Sequence, residues 1–250
     1  MAAMAGPDVR TTPDYSASRV PDFGWLLIAA GLFLASALLQ VVASLERWVT
    51  YAGARPDGSI ENHLFDYYYP ADPWANIGTT AQVYGVGLLL FAFGILALAR
   101  GVGPIGRRAT GLLVRITAVS FTLTGAHALV SGVIGMPTPL QYLPVQLLLS
   151  AVGFVGLTVL GVCVARKSWP ASVACVLLLG STLPGLIFAS IMIAPGIVGY
   201  QSHDMTPFTE TIIAFPTAAA AAFVLLVAAV SSYRTQHRRA RPMLRTEFRS

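Results

Sequence analysis

Charge is what this 250-residue sequence has least of: sixteen basic and eleven acidic residues make up 11% of the chain. A soluble domain carries about a quarter. So few charges cannot coat a soluble globule. With 55% hydrophobic residues and a mean hydropathy of +0.68, most of the surface is expected to face lipid. Lysine is almost missing, since Lys167 stands alone among basic residues that are otherwise Arg. That usage points to GC-rich bacterial coding. Cysteine is limited to Cys163 and Cys175, both expected near a reducing cytoplasm, so they read as small apolar core residues and not as a disulfide.

Sequence signatures of the common chemistries are missing as well. There is no Walker motif, no Gly-rich dinucleotide loop and no Gly-x-Ser-x-Gly elbow. Paired aspartates that hold magnesium-diphosphate and a His pair spaced for haem are also absent. A nucleotide-driven pump, a prenyltransferase and a haem protein are therefore disfavoured, and no cofactor is expected. The net charge of +5 comes without zinc-finger spacing, a basic recognition helix or a basic face interleaved with aromatics, which argues against nucleic acid as a partner. Residues 1–20 lack the basic stretch, short apolar run and small-residue cleavage site of a signal peptide, so the first apolar run is expected to remain as an anchor.

What is present is a series of long apolar runs. A bilayer core about 30 Å thick needs roughly 20 apolar residues per helix. Six stretches meet that length: 23–45, 74–99, 109–134, 140–165, 170–194 and 207–233. The expected fold is an all-α membrane protein, a six-transmembrane-helix bundle. It divides into a cytoplasmic segment 1–22, a membrane domain 23–233 with a structured outer loop 46–76, and a basic tail 234–250. Asp72-Pro73, Thr138-Pro139 and Thr206-Pro207 each place a cap residue before a Pro, whose missing N–H costs nothing in a first helical turn.

Orientation follows from the basic residues. Arg10, Arg19, Arg100, Arg107, Arg108, Arg115, Arg166, Lys167 and the six tail arginines fall on one side of a six-span chain; only Arg47 and Arg55 fall on the other. The positive-inside rule places both termini in the cytoplasm of a bacterial inner membrane. Internal similarity is weak: 87–100 and 153–166 share a Leu-rich, Gly-broken pattern that any two helices ending at the cytoplasm would show.

Candidate chemistry lies toward the outer end. The loop holds Pro56-Asp57-Gly58, a turn signal consistent with a short hairpin, then the bulky run Phe65, Tyr67, Tyr68, Tyr69 and Trp74. An aromatic belt at the headgroups explains that run; a lid over the bundle is the sharper reading. In the third span, Thr117, Ser120, Thr124, His127 and Ser131 recur at steps of three and four, forming one stripe expected to face the interior. Ser36, Gln40, Ser44 and Arg47 form a weaker stripe in the first span. Gln82 and Tyr84 come from the second, and Gln141, Gln146 and Ser150 from the fourth. Helix–helix packing accounts for the hydroxyls; the amides and the imidazole call for more.

His63, Asp66, Asp72, His203, Asp204 and Glu210 gather acids and imidazoles at the same end. Carboxylate plus His is the material of general acid–base chemistry. No two sit at a recognised ligand spacing, so no metal is expected. The first functional reading is a membrane-embedded enzyme acting on a lipidic or isoprenoid-like molecule in an outward-facing pocket. His127, Asp66, Glu210 and Asp204 would be its catalytic groups. Gln40, Gln82, Tyr84, Thr124, Gln146, Tyr68 and Trp74 would bind the hydrophobic ligand. The alternatives are a small permease, with Pro184, Gly185, Pro195 and Pro216 as hinges, and an accessory subunit that binds a protein partner through the outer loop. Membrane lipids are expected partners in every case, the basic tail touching anionic headgroups.

Overall fold

The computed structural model describes residues 22–51, 59–103, 108–202 and 204–247, and among them all regular structure is helical. α1 (Phe23–Leu45) begins where the Asp22 carboxylate accepts the Gly24 and Trp25 amides, at 3.0 and 3.4 Å. Five more α-helices of ten residues or longer follow: α2 (Thr80–Gly101), α3 (Arg108–Ile134), α4 (Leu143–Ala165), α5 (Trp169–Leu178) and α8 (Thr209–Glu247). Two short ones, α6 (Leu183–Phe188) and α7 (Ala194–Val198), lie between α5 and α8.

Five helices are long and apolar enough to cross a bilayer, and α5 with α6–α7 makes a sixth if the bent pair is one span. Those lengths and compositions are those of a polytopic membrane protein. The exposed surface of the bundle carries Leu, Val, Ile and Phe, such as Leu38, Val133, Leu148, Val162 and Phe215, on the outward side of each helix.

The fifth stretch departs from the continuous helix expected over 170–194. It turns by 74° between Ser181 and Leu183. Pro184 lacks the N–H that would bond back to residue 180 and its ring clashes with that carbonyl, so the helix stops before it. The chain folds back so closely that a Cβ on Gly185 would collide with the carbonyls of Leu179 and Gly180, leaving glycine as the residue that fits. A wider π turn (Ala189–Ile193) then precedes Pro195.

Other boundaries move too, and α8 runs on to Glu247, past the expected end at 233. α2 starts at Thr80 and not near residue 74, because 74–79 belongs to the connection above the bundle. The α4 helix starts at Leu143, after a 3₁₀ turn at Pro139–Gln141. The expected hairpin at Pro56-Asp57-Gly58 lies outside the described residues, as does His203. The flanking loop forms 3₁₀ turns at Ser59–Glu61 and His63–Phe65.

α1, α2, α3 and α8 pack most closely. At the α2–α3 crossing a Cβ on Gly85 would lie 2.5 Å from the Leu129 amide nitrogen and 2.6 Å from the Gly125 carbonyl oxygen. Small residues there let the two backbones touch. The half of the bundle nearer the termini is filled by Leu26, Phe33, Phe91, Ile95, Leu98, Leu157, Leu160 and Val224, all buried. Cys175 is buried and Cys163 half-buried, and both are free thiols.

Candidate functional site

The α1–α2, α3–α4 and α7–α8 connections meet at one end of the bundle and form a cap. α1 runs on as a π turn (Glu46–Thr50), and its side chains organise the cap. Glu46 accepts the Thr79 amide and hydroxyl, both at 2.9 Å, and so caps α2 from another helix.

Arg47 has no exposed surface and uses all five of its N–H groups. Nε and one Nη group donate to the Ile60 carbonyl at 3.2 and 3.0 Å, and that Nη also reaches the Asn62 carbonyl at 3.3 Å. The other Nη donates to Asp66 at 2.9 Å and to Glu210 at 3.0 Å. Trp48 completes the cluster: its indole N–H donates to the second oxygen of Glu210 at 2.7 Å, and its ring lies under the guanidinium, 4.5 Å from the centroid. Glu210 lies in the first turn of α8, two residues after Phe208, which is held at φ +62° against Trp48. Burial is the largest influence on Asp66 and outweighs Arg47, pushing its carboxyl up to about 6.

A second clasp holds the opposite side of the cap. His127, 1% exposed, lies 2.8 Å from the Pro70 carbonyl through Nε2 and 2.6 Å from the Thr138 hydroxyl through Nδ1. A carbonyl only accepts, so Nε2 carries the proton and Nδ1 accepts from Thr138. Both nitrogens of the neutral ring are used. Tyr69 packs against this ring at a tilt of 46°, centroids 4.4 Å apart, and donates its hydroxyl to the Leu140 carbonyl, while Gln141 accepts the Asp72 amide.

Between cap and bundle lies a cleft holding about 540 Å³ of unfilled space, its open mouth included. Tyr68, Tyr69 and Tyr84 form its roof and back wall, with Leu88. α3 gives Ser120, Phe121 and Thr124; α4 gives Gln146, Leu149 and Ser150. The broken fifth span supplies Ser181, Thr182, Leu183 and Leu186, and α8 supplies Ile213. Ser150 accepts the Leu183 amide at 3.0 Å, so an α4 side chain covers a backbone group freed by the break. Burial pushes the Tyr68 phenol up, so it stays a neutral O–H.

The residues singled out in the sequence therefore separate into groups. Tyr68, Tyr84, Thr124 and Gln146 line the cleft together. Asp66 and Glu210 meet on Arg47, behind Tyr67, whose ring packs edge-on against Tyr84 at 5.5 Å. Asp204 stands apart at the surface, facing His63 at 3.9 Å. Gln40 bonds to Ser36 inside α1, Gln82 bonds to the Gly132 carbonyl at 2.6 Å, and Trp74 packs half-buried in the cap. In the α3 stripe Thr117, Ser120, His127 and Ser131 are buried. Thr117, Ser120 and Thr124 donate their hydroxyls to carbonyls of their own helix.

Sequence reasoning did not single out Trp48, Ser181 or Thr182 as site residues. Arg47 carried a usable signal: it continues the Ser36, Gln40, Ser44 stripe and breaks the basic-residue asymmetry. Among the described residues no three of His, Cys, Asp or Glu gather as metal ligands would. No family model matches the chain, and comparison with curated proteins and solved structures finds none similar to it.

Proposed function

We propose that this chain is a multi-pass protein of a bacterial cytoplasmic membrane, with both termini inside, that binds one amphiphilic molecule in the cleft beneath its extracytoplasmic cap. The orientation rests on the arginine distribution of the sequence. The binding reading is carried by the cleft lining. Hydroxyls, phenols and an amide converge with Leu, Ile and Phe on one open cleft, the mixed lining of an amphiphile site. A molecule with an alkyl or isoprenoid part and a polar head matches such a mixed wall. Membrane lipids are the nearest source.

Acid–base catalysis is the second reading. Its supporting observation is a carboxyl near neutrality, Asp66, two residues from the cleft-lining Tyr68. Turnover would require Asp66, Glu210 or His127 to release partners that each now holds, and none of them lines the cleft. A permease is less well supported, since the apolar packing toward the termini offers no polar route. A protein partner on the cap would be an additional role.

The test is mass spectrometry of lipids that co-purify with the full chain, compared with a Ser150→Phe variant that fills the cleft and a His127→Ala variant that loosens the cap. Wild type should retain a defined amphiphile, Ser150→Phe should lose it while eluting as the same species, and His127→Ala should retain it in reduced amount. Equal retention by wild type and Ser150→Phe would end the cleft reading.

A further inference from the structure

The cleft restricts the charge of its ligand as well as its shape, an inference that rests on the amphiphile-binding reading. Neither a cationic nor an anionic side chain lines the cleft among the described residues. A phosphate or carboxylate head would have to shed water there without a counter-ion, which is unfavourable by several kcal/mol.

The cation of the cap cluster does not change this. Arg47 is sealed from solvent and every N–H is committed. It also faces two carboxylates, so its cluster offers an anion no surplus positive charge. Ile213, which lines the cleft, lies one turn after Glu210 on α8, so the side-chain charge nearest to it on that helix is negative.

The polar groups on the wall are all uncharged, the Tyr68 and Tyr84 phenols and the Ser181 hydroxyl among them. Ser120, Thr124 and Thr182 give their protons to backbone carbonyls and offer only lone pairs. Ser150 accepts from the Leu183 amide and keeps its own O–H. Gln146 presents an amide, which both donates and accepts. A head that also both donates and accepts, a hydroxyl above all, satisfies this set; an anion uses only its donors.

We propose that the cleft takes an uncharged amphiphile with a hydroxyl-bearing head and rejects the same chain when it ends in a phosphate. An isoprenoid alcohol and a monoacylglycerol share this chemistry, and the experiment separates them. Purified full-length protein in phosphatidylcholine nanodiscs is titrated with four probes, read by native mass spectrometry and calorimetry. These are geranylgeraniol, geranylgeranyl phosphate, 1-oleoylglycerol and 1-oleoyl-lysophosphatidic acid.

At least one alcohol should bind about 30-fold or more tighter than its own phosphate. Which alcohol binds identifies the chain type. Gln146→Leu should weaken that alcohol about tenfold, because a hydrogen-bonding partner of the head is gone. Phosphates that bind as tightly as the alcohols overturn the charge restriction. So does failure of all four while wild type still co-purifies an amphiphile that Ser150→Phe loses, and in that outcome the cleft reading survives. Retention unaffected by Ser150→Phe removes the cleft reading itself.

Discussion

The Arg47 cluster and the cleft share one layer of tyrosines but are built on opposite terms. Behind Tyr67, Arg47 and Glu210 are buried, Asp66 is largely so, and every N–H of the guanidinium has an acceptor. In front of Tyr68 and Tyr84, no charge is present and the space is unfilled. A buried ion set with complete hydrogen bonding holds one geometry, because each displaced partner strands a charge. A wall of hydroxyls and side-chain amide tolerates rearrangement, since each group can exchange one partner for another. On this side of the cap, charged side chains hold the structure and neutral polar ones line the cleft.

The sharpest way to break this contrast is to remove the guanidinium. Arg47→Met leaves Asp66 and Glu210 buried without their counter-ion and should cost about 3–5 kcal/mol. The readout is a large fall in the thermal unfolding midpoint in detergent. Because that variant can fail to accumulate, Arg47→Met combined with Asp66→Asn and Glu210→Gln supplies the control. With all three charges gone, much of the lost stability should return. A triple variant as unstable as the single one would show that the cluster acts by shape alone.

A smaller effect is expected from pH. The Asp66 carboxyl, ordinarily near 3.8, is raised to about 6 in the folded protein by burial. The folded state therefore binds this proton more tightly than the unfolded one. The cost of the buried charge is present in full above pH 6 and is relieved as the pH falls from about 6 toward 4. Unfolding midpoints measured at pH 7.5 and 5 should show a gain at the lower pH worth about 1–2 kcal/mol. That gain should be missing in Asp66→Asn, and a gain of equal size there would assign the effect to other groups.

The smallest stability change belongs to the cleft. Gln146→Leu should shift stability by no more than about 0.5 kcal/mol, because no packed partner is lost. Ligand retention should nevertheless fall. A destabilisation as large as that of Arg47→Met would mean that the cleft wall is as tightly determined as the cluster.

How much of this was readable from the residues varied with how local the cause was. The limits of α1 coincide with the expected run because Asp22 and Glu46 border an unbroken apolar segment. Composition could not tell that Trp74, Ala75 and Ile77 pack in the cap layer and not in a helix, since a cap interior and a lipid-facing surface use the same apolar side chains. Pro184 and Gly185 were visible as hinge residues, but the 74° turn depends on where α4 and α8 leave room. Four expected ligand residues, Tyr68, Tyr84, Thr124 and Gln146, line one cleft, whereas Gln40 and Gln82 are spent on helix packing. Helical periodicity gives the face a side chain takes, and the partner it meets there comes from distant segments.

Arg47 shows the limit most clearly, for one of its carboxylates lies 163 residues further along the chain. That separation fixes an order of events during biosynthesis. The ribosome must deliver the 163 residues that follow Arg47 before Glu210 exists, so until then the guanidinium has only Asp66 as a counter-ion. Closure of the cap on its Arg47 side thus waits for α8, and a chain arrested before that helix is marked as unfinished at the α1–α2 connection.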